Sequence, residues 1–326
     1  MTTKYILVTG GAGLVGSNLC RKLLEDERNE VICVDNLSSG RRENIVALIT
    51  NPRFQLIVAD VCDSNAFNFY NTIHEIYHLA CPASPPFYQA DPIGTLKTCT
   101  IGTINMLELA AKYNAKLLYT STSEIYGDPL EHPQRESYRG NVNPIGIRSC
   151  YDEGKRVGET LCTEYYRTRG VDTKICRIFN TYGPYLNADD GRVVSNFIIQ
   201  ALKNEPITIY GHGEQTRSFC YVSDLVSGLI ALMSSDYHMP VNLGNPCELT
   251  VTELATKIKE MTSSSSDIKV KSREMPEDDP KVRKPDISLA NQVIGWQPVV
   301  SLEEGLMHTI NYFKELTRVS ASNLGE

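Results

Sequence analysis

No surplus of positive charge marks this chain. Its 32 Lys and Arg stand against 39 Asp and Glu, and the resulting formal charge of −7 offers no attraction to a phosphate backbone or an anionic lipid surface. Neither nucleic acid nor membrane is therefore expected as a partner. No uninterrupted apolar run approaches the ~18 residues that a spanning helix needs. Met1 leads through two threonines and Lys4 directly into Tyr5-Ile6-Leu7-Val8, which leaves no room for a signal peptide, so the expected compartment is the cytoplasm. The ten cysteines, at positions 20, 33, 62, 81, 99, 150, 162, 176, 220 and 247, include no CxxC pair. Scattered through a chain far longer than most disulfide-framed secreted domains, they point to reduced thiols, and no metal site is expected. No internal repeat is evident. With 22 Gly, 16 Pro and 41% hydrophobic residues in 326, the chain is neither fibrous nor disordered, and it is long enough for one large domain or two unequal ones.

What is present alternates. Short β-rich runs at Tyr5 to Val8, Val31 to Val34, Phe54 to Val58 and Ile76 to Leu79 are interleaved with a helical-period run from Leu14 to Leu24 and with polar loops. The pattern continues with a helix near 97 to 113, a strand from Lys116 to Thr120, a helix near 151 to 169 and a strand from Asp172 to Phe179. Such alternation predicts an α/β, Rossmann-type doubly wound parallel sheet with crossover helices on both faces. Beyond Pro184 turns become denser and strands shorter, while Val222 to Met233 again has helical period. The expected division is a dinucleotide-binding domain over 1–180, with 218–245 returning to it, and a smaller discontinuous lobe over 181–217 and 246–326. Ser263 to Ser266, followed by the charged, Pro-punctuated run Glu274 to Asp286, reads as a linker and a solvated surface loop.

Directly after the first run comes Gly10-Gly11-Ala12-Gly13-Leu14-Val15-Gly16, which fits both GxGxxG from Gly11 and GxxGxxG from Gly10. Glycines here permit a tight turn, let backbone N–H groups approach a pyrophosphate and allow the next helix to pack closely. A Gly-rich turn has many structural uses, so the setting matters more than the pattern. A β-rich run precedes it, a helix follows, and Asp35 ends the second run 19 residues past Gly16, where a carboxylate binds both hydroxyls of an adenosine ribose. Asp35 repels a 2′-phosphate and favours NAD over NADP; Arg41 and Arg42 nearby fit either a partner for such a phosphate or ordinary surface charge. Asp60 suits an adenine-contacting carboxylate and a helix cap equally.

Tyr151 and Lys155 lie i, i+4 on one predicted helical face, which brings an ammonium near a phenol. With 17 tyrosines that spacing arises easily by chance, but the helix follows the strand that carries Thr120-Ser121-Thr122-Ser123-Glu124. A free phenol, with a pKa of ~10, is a poor base at neutral pH. A neighbouring ammonium and a cationic nicotinamide both favour the phenolate, which makes Tyr151 a usable general base. Thr122 is equally a strand-end β-former and a hydroxyl able to share the substrate proton; Glu124 is equally a helix-start carboxylate and a second acid.

These segments, together with His78-Leu-Ala-Cys-Pro-Ala-Ser84, Asn143-Pro-Ile-Gly-Ile-Arg-Ser-Cys-Tyr-Asp-Glu-Gly-Lys155, Arg177-Ile-Phe-Asn-Thr-Tyr-Gly-Pro184, Asp190-Gly-Arg-Val-Val-Ser-Asn196, Gln215-Thr-Arg-Ser-Phe219 and Arg283-Lys-Pro-Asp286, resemble the extended short-chain dehydrogenase/reductase family acting on nucleotide-sugars. Within that family the likeness is to the enzymes that decarboxylate UDP-glucuronate, and it runs from Ile6 to about Phe313. The resemblance implies a tightly held NAD that oxidises C4 of the sugar, loss of CO2 from the resulting β-keto acid, and return of the hydride to give UDP-xylose. It implies Tyr151 as base, Lys155 on the nicotinamide ribose, Thr122 beside the enolate oxygen, and Glu124 with Arg283 managing protons and the sugar carboxylate. Cofactor contacts are implied at Gly10, Gly13, Leu14, Val15 and Gly16, and at Asp35, Asn36, Ser38, Ser39 and Gly40. Asp60, Val61, Leu79, Ala80, Thr98 and Thr181 complete that set. Substrate contacts are implied at Pro82, Ser84, Lys97, Asn105 and Asn180, and at Arg192, Tyr210, Gln215, Arg217 and Arg283.

Two positions depart from the family pattern. Cys99 stands where many relatives have an asparagine, which removes an amide near the cofactor. Ser123 precedes Glu124 where related dehydratases carry an aspartate, which removes the acid that protonates a leaving C6 hydroxyl. A 4-epimerase, an apiose-forming synthase or a 4,6-dehydratase shares the same expected fold and cofactor, and a non-catalytic NAD-binding sensor is the alternative from another class. The helices near 97 to 113 and 151 to 169 carry apolar residues on more than one face, and their equivalents in relatives form a four-helix interface, so a homodimer is expected.

Overall fold

In the run Ile6-Leu7-Val8 successive side chains point to opposite sides, and all three are fully buried, so the strand must be covered on both faces. The computed structural model, which describes residues 2–67, 72–211, 213–271, 280 and 282–322, shows how. Strands β1 (Lys4–Thr9), β2 (Asn29–Asp35), β3 (Phe54–Val58), β4 (Glu75–His78), β5 (Lys116–Thr122), β6 (Thr173–Ile178) and β7 (Pro240–Leu243) form one parallel sheet in the order β7-β6-β5-β4-β1-β2-β3. On one face Ile6 and Val8 meet Leu19, Cys20 and Leu23 of helix α1 (Leu14–Leu23). On the other, Leu7 and Ile76 meet Met106, Leu107 and Ala110 of α2 (Thr103–Tyr113) and Cys162 of α3 (Ser149–Arg169). The expected doubly wound sheet is present, and its strand order reverses between β1 and β4. A crevice opens at the carboxyl ends of strands at such a switch point, which is where ligands bind in open α/β sheets.

A separate apolar cluster lies beyond this sheet. Val194, Phe197 and Ile198 of α4 (Val193–Leu202) pack with Leu254 and Ile258 of α6 (Val251–Thr262) and with Leu306, Ile310 and Phe313 of α7 (Leu302–Ser322). Between these elements, α5 (Val222–Ser234) packs Leu225, Leu229 and Leu232 into the core of the main sheet. The start of α6 is fixed by a capping box in which the Thr250 hydroxyl accepts from the Glu253 amide, while the Thr250 amide donates to the Glu253 carboxylate.

Two sequence expectations need correction. The helix expected from 97 to 113 is three pieces: Pro92–Lys97, a π-helical turn over Thr98–Gly102, and α2. Asp91 caps the first piece by accepting from the Gly94 amide, and the Thr98, Thr100 and Thr103 hydroxyls donate back to the carbonyls of Gly94, Leu96 and Cys99. This β-branched, back-bonding run disturbs the regular ladder and widens one turn. The second correction concerns the expected linker and surface loop. Ser264 donates to the carbonyl of Ala201, and Ile268–Lys271 pairs in parallel with Ile207–Tyr210, so this stretch belongs to the smaller cluster. Residues 274–279 and 281 lie outside the described residues. Arg283, by contrast, is only 1% exposed. Gln134 holds the segment inward, its side chain and carbonyl accepting from the amides of Lys284 and Asp286.

Candidate active site

The crevice at the switch point opens into a cavity of about 1160 Å³. At its β1 end the glycine loop is shaped by contact. A Cβ on Gly10, whose φ is +70°, would stand 2.8 Å from the Ala80 amide nitrogen, and one on Gly16 would stand 2.2 Å from the Gly10 carbonyl oxygen. Gly13, at the head of α1, caps it with no side-chain hydrogen bond, which leaves the helix's first N–H groups facing the cavity. Asp35 ends β2, accepting from the amides of Ala12 at 2.9 Å and Leu37 at 2.8 Å. Burial pushes its carboxyl up, against the pull of those two donors. A Cβ on Gly40 would lie 2.7 Å from both Asp35 carboxylate oxygens, so glycine there keeps a face of the carboxylate open. Asp60 accepts from the Cys62 amide and from Asn36, and these bonds hold it low despite partial burial. It caps no helix.

At the far end of β5, Tyr151 is buried on the first turn of α3. Burial pushes its phenol well up, and the hydrogen bond it shares with Thr122 only partly offsets that. Lys155 donates to the Thr120 carbonyl at 2.8 Å, and its ammonium sits 5.8 Å from the centre of the Tyr151 ring. In the protein alone burial outweighs the help expected from that ammonium, because a phenolate in an apolar enclosure lacks water. Beside this pair, Glu124 accepts from Arg148 at 2.5 Å and from Arg283 at 2.8 and 3.3 Å. The two guanidinium groups hold its carboxyl well below the usual carboxylate range even though burial opposes them. Arg283 also donates to the Ser123 hydroxyl at 2.7 Å.

Of the positions implied by the motifs, Asn105 alone does not line the cavity. Its amide donates to the Val61 carbonyl at 2.9 Å, behind a residue that does line it. Gly10, Gly13 and Gly16 of the glycine loop line it with Asn36, Ser38, Ser39, Val61, Leu79, Ala80 and Thr181. Pro82, Ser84, Lys97, Thr98, Asn180, Arg192, Tyr210, Gln215 and Arg217 line it too. Arg192 pairs with Asp190 at 2.7 Å, and Arg217 donates to the carbonyls of Thr216 and Pro280.

Two further residues, not singled out by the sequence, belong to this site. Arg148 lies three positions before Tyr151 within the quoted motif, and its spacing from Tyr151 on the incoming turn was the available signal. Tyr88 comes from the short helix Pro85–Ala90; its ring stacks on that of Tyr151, with 5.1 Å between centroids and 5° between planes. No local pattern announces a stacking partner 63 residues away, as counted along the chain.

The cradle fits a dinucleotide: two glycines whose side chains would collide with backbone, an open helix N-terminus, and a buried carboxylate lining the same cavity. Residues 6–244 match the model of the NAD dependent epimerase/dehydratase family. The chain is 57% identical over 301 residues to UDP-glucuronic acid decarboxylase 6 of Arabidopsis thaliana, covering 92% of this chain and 86% of that protein. It is 54% identical to UDP-glucuronic acid decarboxylase 1 of Xenopus tropicalis, over 98% of this chain and 74% of that protein. Among solved structures, UDP-glucuronic acid 4-epimerase from Bacillus cereus, in complex with UDP-glucuronic acid and NAD, superposes with a TM-score of 0.83 at 28% identity, covering 96% of this chain and 99% of that one. By the extent of the family match and by identity to these relatives, the chain belongs to the NAD dependent epimerase/dehydratase family.

Proposed function

We propose that this chain is an enzyme that decarboxylates UDP-glucuronate to UDP-xylose, with NAD retained through the cycle. The observation that carries the reading is the union, in one cavity, of Tyr151 and Thr122 with a corner where Glu124 is held between Arg283 and Arg148. The decarboxylase relatives support it. When bound, NAD supplies a cationic ring that favours the phenolate and a reversible acceptor for the C4 hydride. Tyr151 takes the proton of the C4 hydroxyl, and Lys155 fixes the turn in which that phenol sits. With C4 a ketone, the sugar carboxylate is that of a β-keto acid. Its C–C bond breaks, CO2 leaves, and the electron pair passes to the C4 oxygen, where the donors on Tyr151 and Thr122 stabilise the enolate. A proton from water then adds at C5, and UDP-xylose would be completed by return of the hydride to C4 while Tyr151 gives its proton back to the C4 oxygen. Arg283 and Arg148 give the sugar carboxylate cationic neighbours, and Glu124, kept ionised between them, holds the two guanidinium groups in that corner. Ser123, engaged with Arg283, supplies no acid for loss of a C6 hydroxyl, which disfavours the dehydratase alternative.

The reading extends to organisation. Residues 1–180 with 218–245 are the cofactor domain, and 181–217 with 246–326 the nucleotide-sugar lobe, a division supported by the return of α5 and β7 to the main sheet. A cytoplasmic homodimer is proposed. The ten free cysteines accord with the compartment, and Ile101, Ile104 and Val157 are exposed apolar positions on the two segments expected to pair, with Ile93 and Leu96 exposed on the helical piece just before the first. Among the described residues no helix is long and apolar enough to cross a membrane. Incubation with UDP-glucuronate, without added reductant, tests the activity through the mass of the nucleotide-sugar product. Loss of one CO2 is expected. An unchanged mass with inverted C4 stereochemistry assigns the chain to epimerisation, and an untouched substrate overturns both.

A further inference from the structure

Cys81 and Cys99 lie 18 residues apart in sequence, yet their sulfurs are 3.3 Å apart at the wall of the cavity. Cys81 continues the chain just past β4, lines the cavity and packs against the cluster of Tyr88, Cys150 and Tyr151. Cys99 sits in the π-helical turn, 2% exposed, and does not itself line the cavity. It also bears on the catalytic helix: a Cβ on Gly154, between Tyr151 and Lys155, would stand 3.0 Å from the Cys99 Cβ and 3.1 Å from its sulfur. We propose that Cys81 and Cys99 are a redox modification site, a dithiol that a peroxide converts to a reversible disulfide and that thereby shuts off the chemistry of the adjoining cavity.

The asymmetry of the pair suits the two steps. Cys81 faces the cavity and donates to the Pro82 carbonyl; the hydrogen bond it shares with Cys99 pulls its thiol down, aided by the Lys155 ammonium against burial, while that bond and burial push Cys99 up. The Cys81 thiolate attacks one oxygen of hydrogen peroxide. An S–O bond forms, the O–O bond breaks, and the departing hydroxide takes a proton to become water. The Cys99 sulfur then attacks the Cys81 sulfur: an S–S bond forms, the S–O bond breaks, and the Cys99 proton leaves with the hydroxyl as a second water. Two thiols lose two hydrogens, and the peroxide takes up both electrons. Shortening the 3.3 Å separation to the ~2.05 Å of a disulfide draws the Cys81 wall and the π-helical turn together. Because Cys99 abuts Gly154, that movement reaches Tyr151 and Lys155, and a shift of ~1 Å at reacting groups can cost ~10²-fold in rate.

The test uses the purified full-length protein with its own bound nucleotide, treated with hydrogen peroxide and then with dithiothreitol. Expected are loss of two hydrogens in the intact mass, a Cys81–Cys99 cross-linked peptide, and a fall of about tenfold or more in turnover that dithiothreitol reverses. In Cys99→Ser, or Cys99→Asn if the first variant folds poorly, no cross-link forms and the Cys81 sulfenic acid is captured by dimedone. A cross-link between any other pair, Cys81 oxidation without a cross-link to Cys99 in the unaltered chain, or full turnover in the cross-linked protein would overturn the proposal. The cross-link is read without substrate, so its absence is distinguishable from failure of the proposed decarboxylation.

Discussion

Tyr151 begins as a poor base made poorer by burial, and that fixes what its removal should do. A phenol held neutral in the resting protein becomes useful only when a cation adjoins it, so its proton transfer is confined to the assembled complex. Tyr151→Phe is expected to lower turnover by about 10³-fold or more while leaving bound NAD in place, as read by product formation and by nucleotide released on denaturation. Glu124 supplies the complementary case. Its folded pKa lies below the ordinary carboxylate value because Arg283 and Arg148 surround it. The stability it contributes is therefore fully present above the ordinary carboxylate range and is lost as pH falls through the depressed value. Glu124→Gln, neutral at every pH, should show a shallower decline of the urea midpoint between neutral and acidic pH than the unaltered chain does. An equally steep decline would locate the acid sensitivity elsewhere. Removing one cation instead leaves the buried carboxylate with a single partner, and Arg283→Ala is expected to cost about 3 kcal/mol in urea unfolding.

At the scale of elements, the glycine loop and the π-helical turn do opposite things to regular structure. The loop is tight because two backbones meet there: a side chain on Gly16 would overlap the Gly10 carbonyl. Gly16→Val is thus expected to push α1 away from β1 and yield protein purified with little or no bound NAD, measured by the absorbance of the extracted nucleotide. Retention of a full complement would show that the helix N-terminus does not carry the pyrophosphate. The π-helical turn loosens one turn between two helices, and its threonine hydroxyls satisfy carbonyls that the regular ladder would use. Helical period over 97 to 113 was readable in the sequence. The break was not, because β-branched residues tolerate both geometries and packing of Cys99 against Gly154 and Cys81 settles which forms.

For the whole molecule, the relevant surface is the apolar stretch along the π-helical turn and α2. Ile101 is 43% exposed and Ile104 38% exposed, beside Leu96 at 41%. In the proposed homodimer, Ile101→Glu together with Ile104→Glu would place like charges across the two-fold interface and should convert the dimer to a monomer by sedimentation velocity at micromolar concentration. A parent chain that already sediments as a monomer would remove the dimer. The double variant should keep its bound nucleotide, since neither side chain lines the cavity.

The alternation of strand and helix, the glycine loop with Asp35, and the Tyr151/Lys155 spacing were all written in the sequence. Each depends on local conformation: a two-residue or 3.6-residue period, a turn that only glycine permits, an i, i+4 face. Tertiary structure alone decided the rest. Arg283, 159 residues beyond Glu124 and named in the sequence only through the family resemblance, reaches it because a buried carboxylate requires a cation and Gln134 holds the segment inward. Arg148 joins it, Tyr88 lies flat on Tyr151, Asn105 turns to the Val61 carbonyl, and two cysteines meet at the cavity wall. These are partnerships between side chains distant in sequence, selected by burial and by the satisfaction of charge and hydrogen bonds, and no local spacing encodes them.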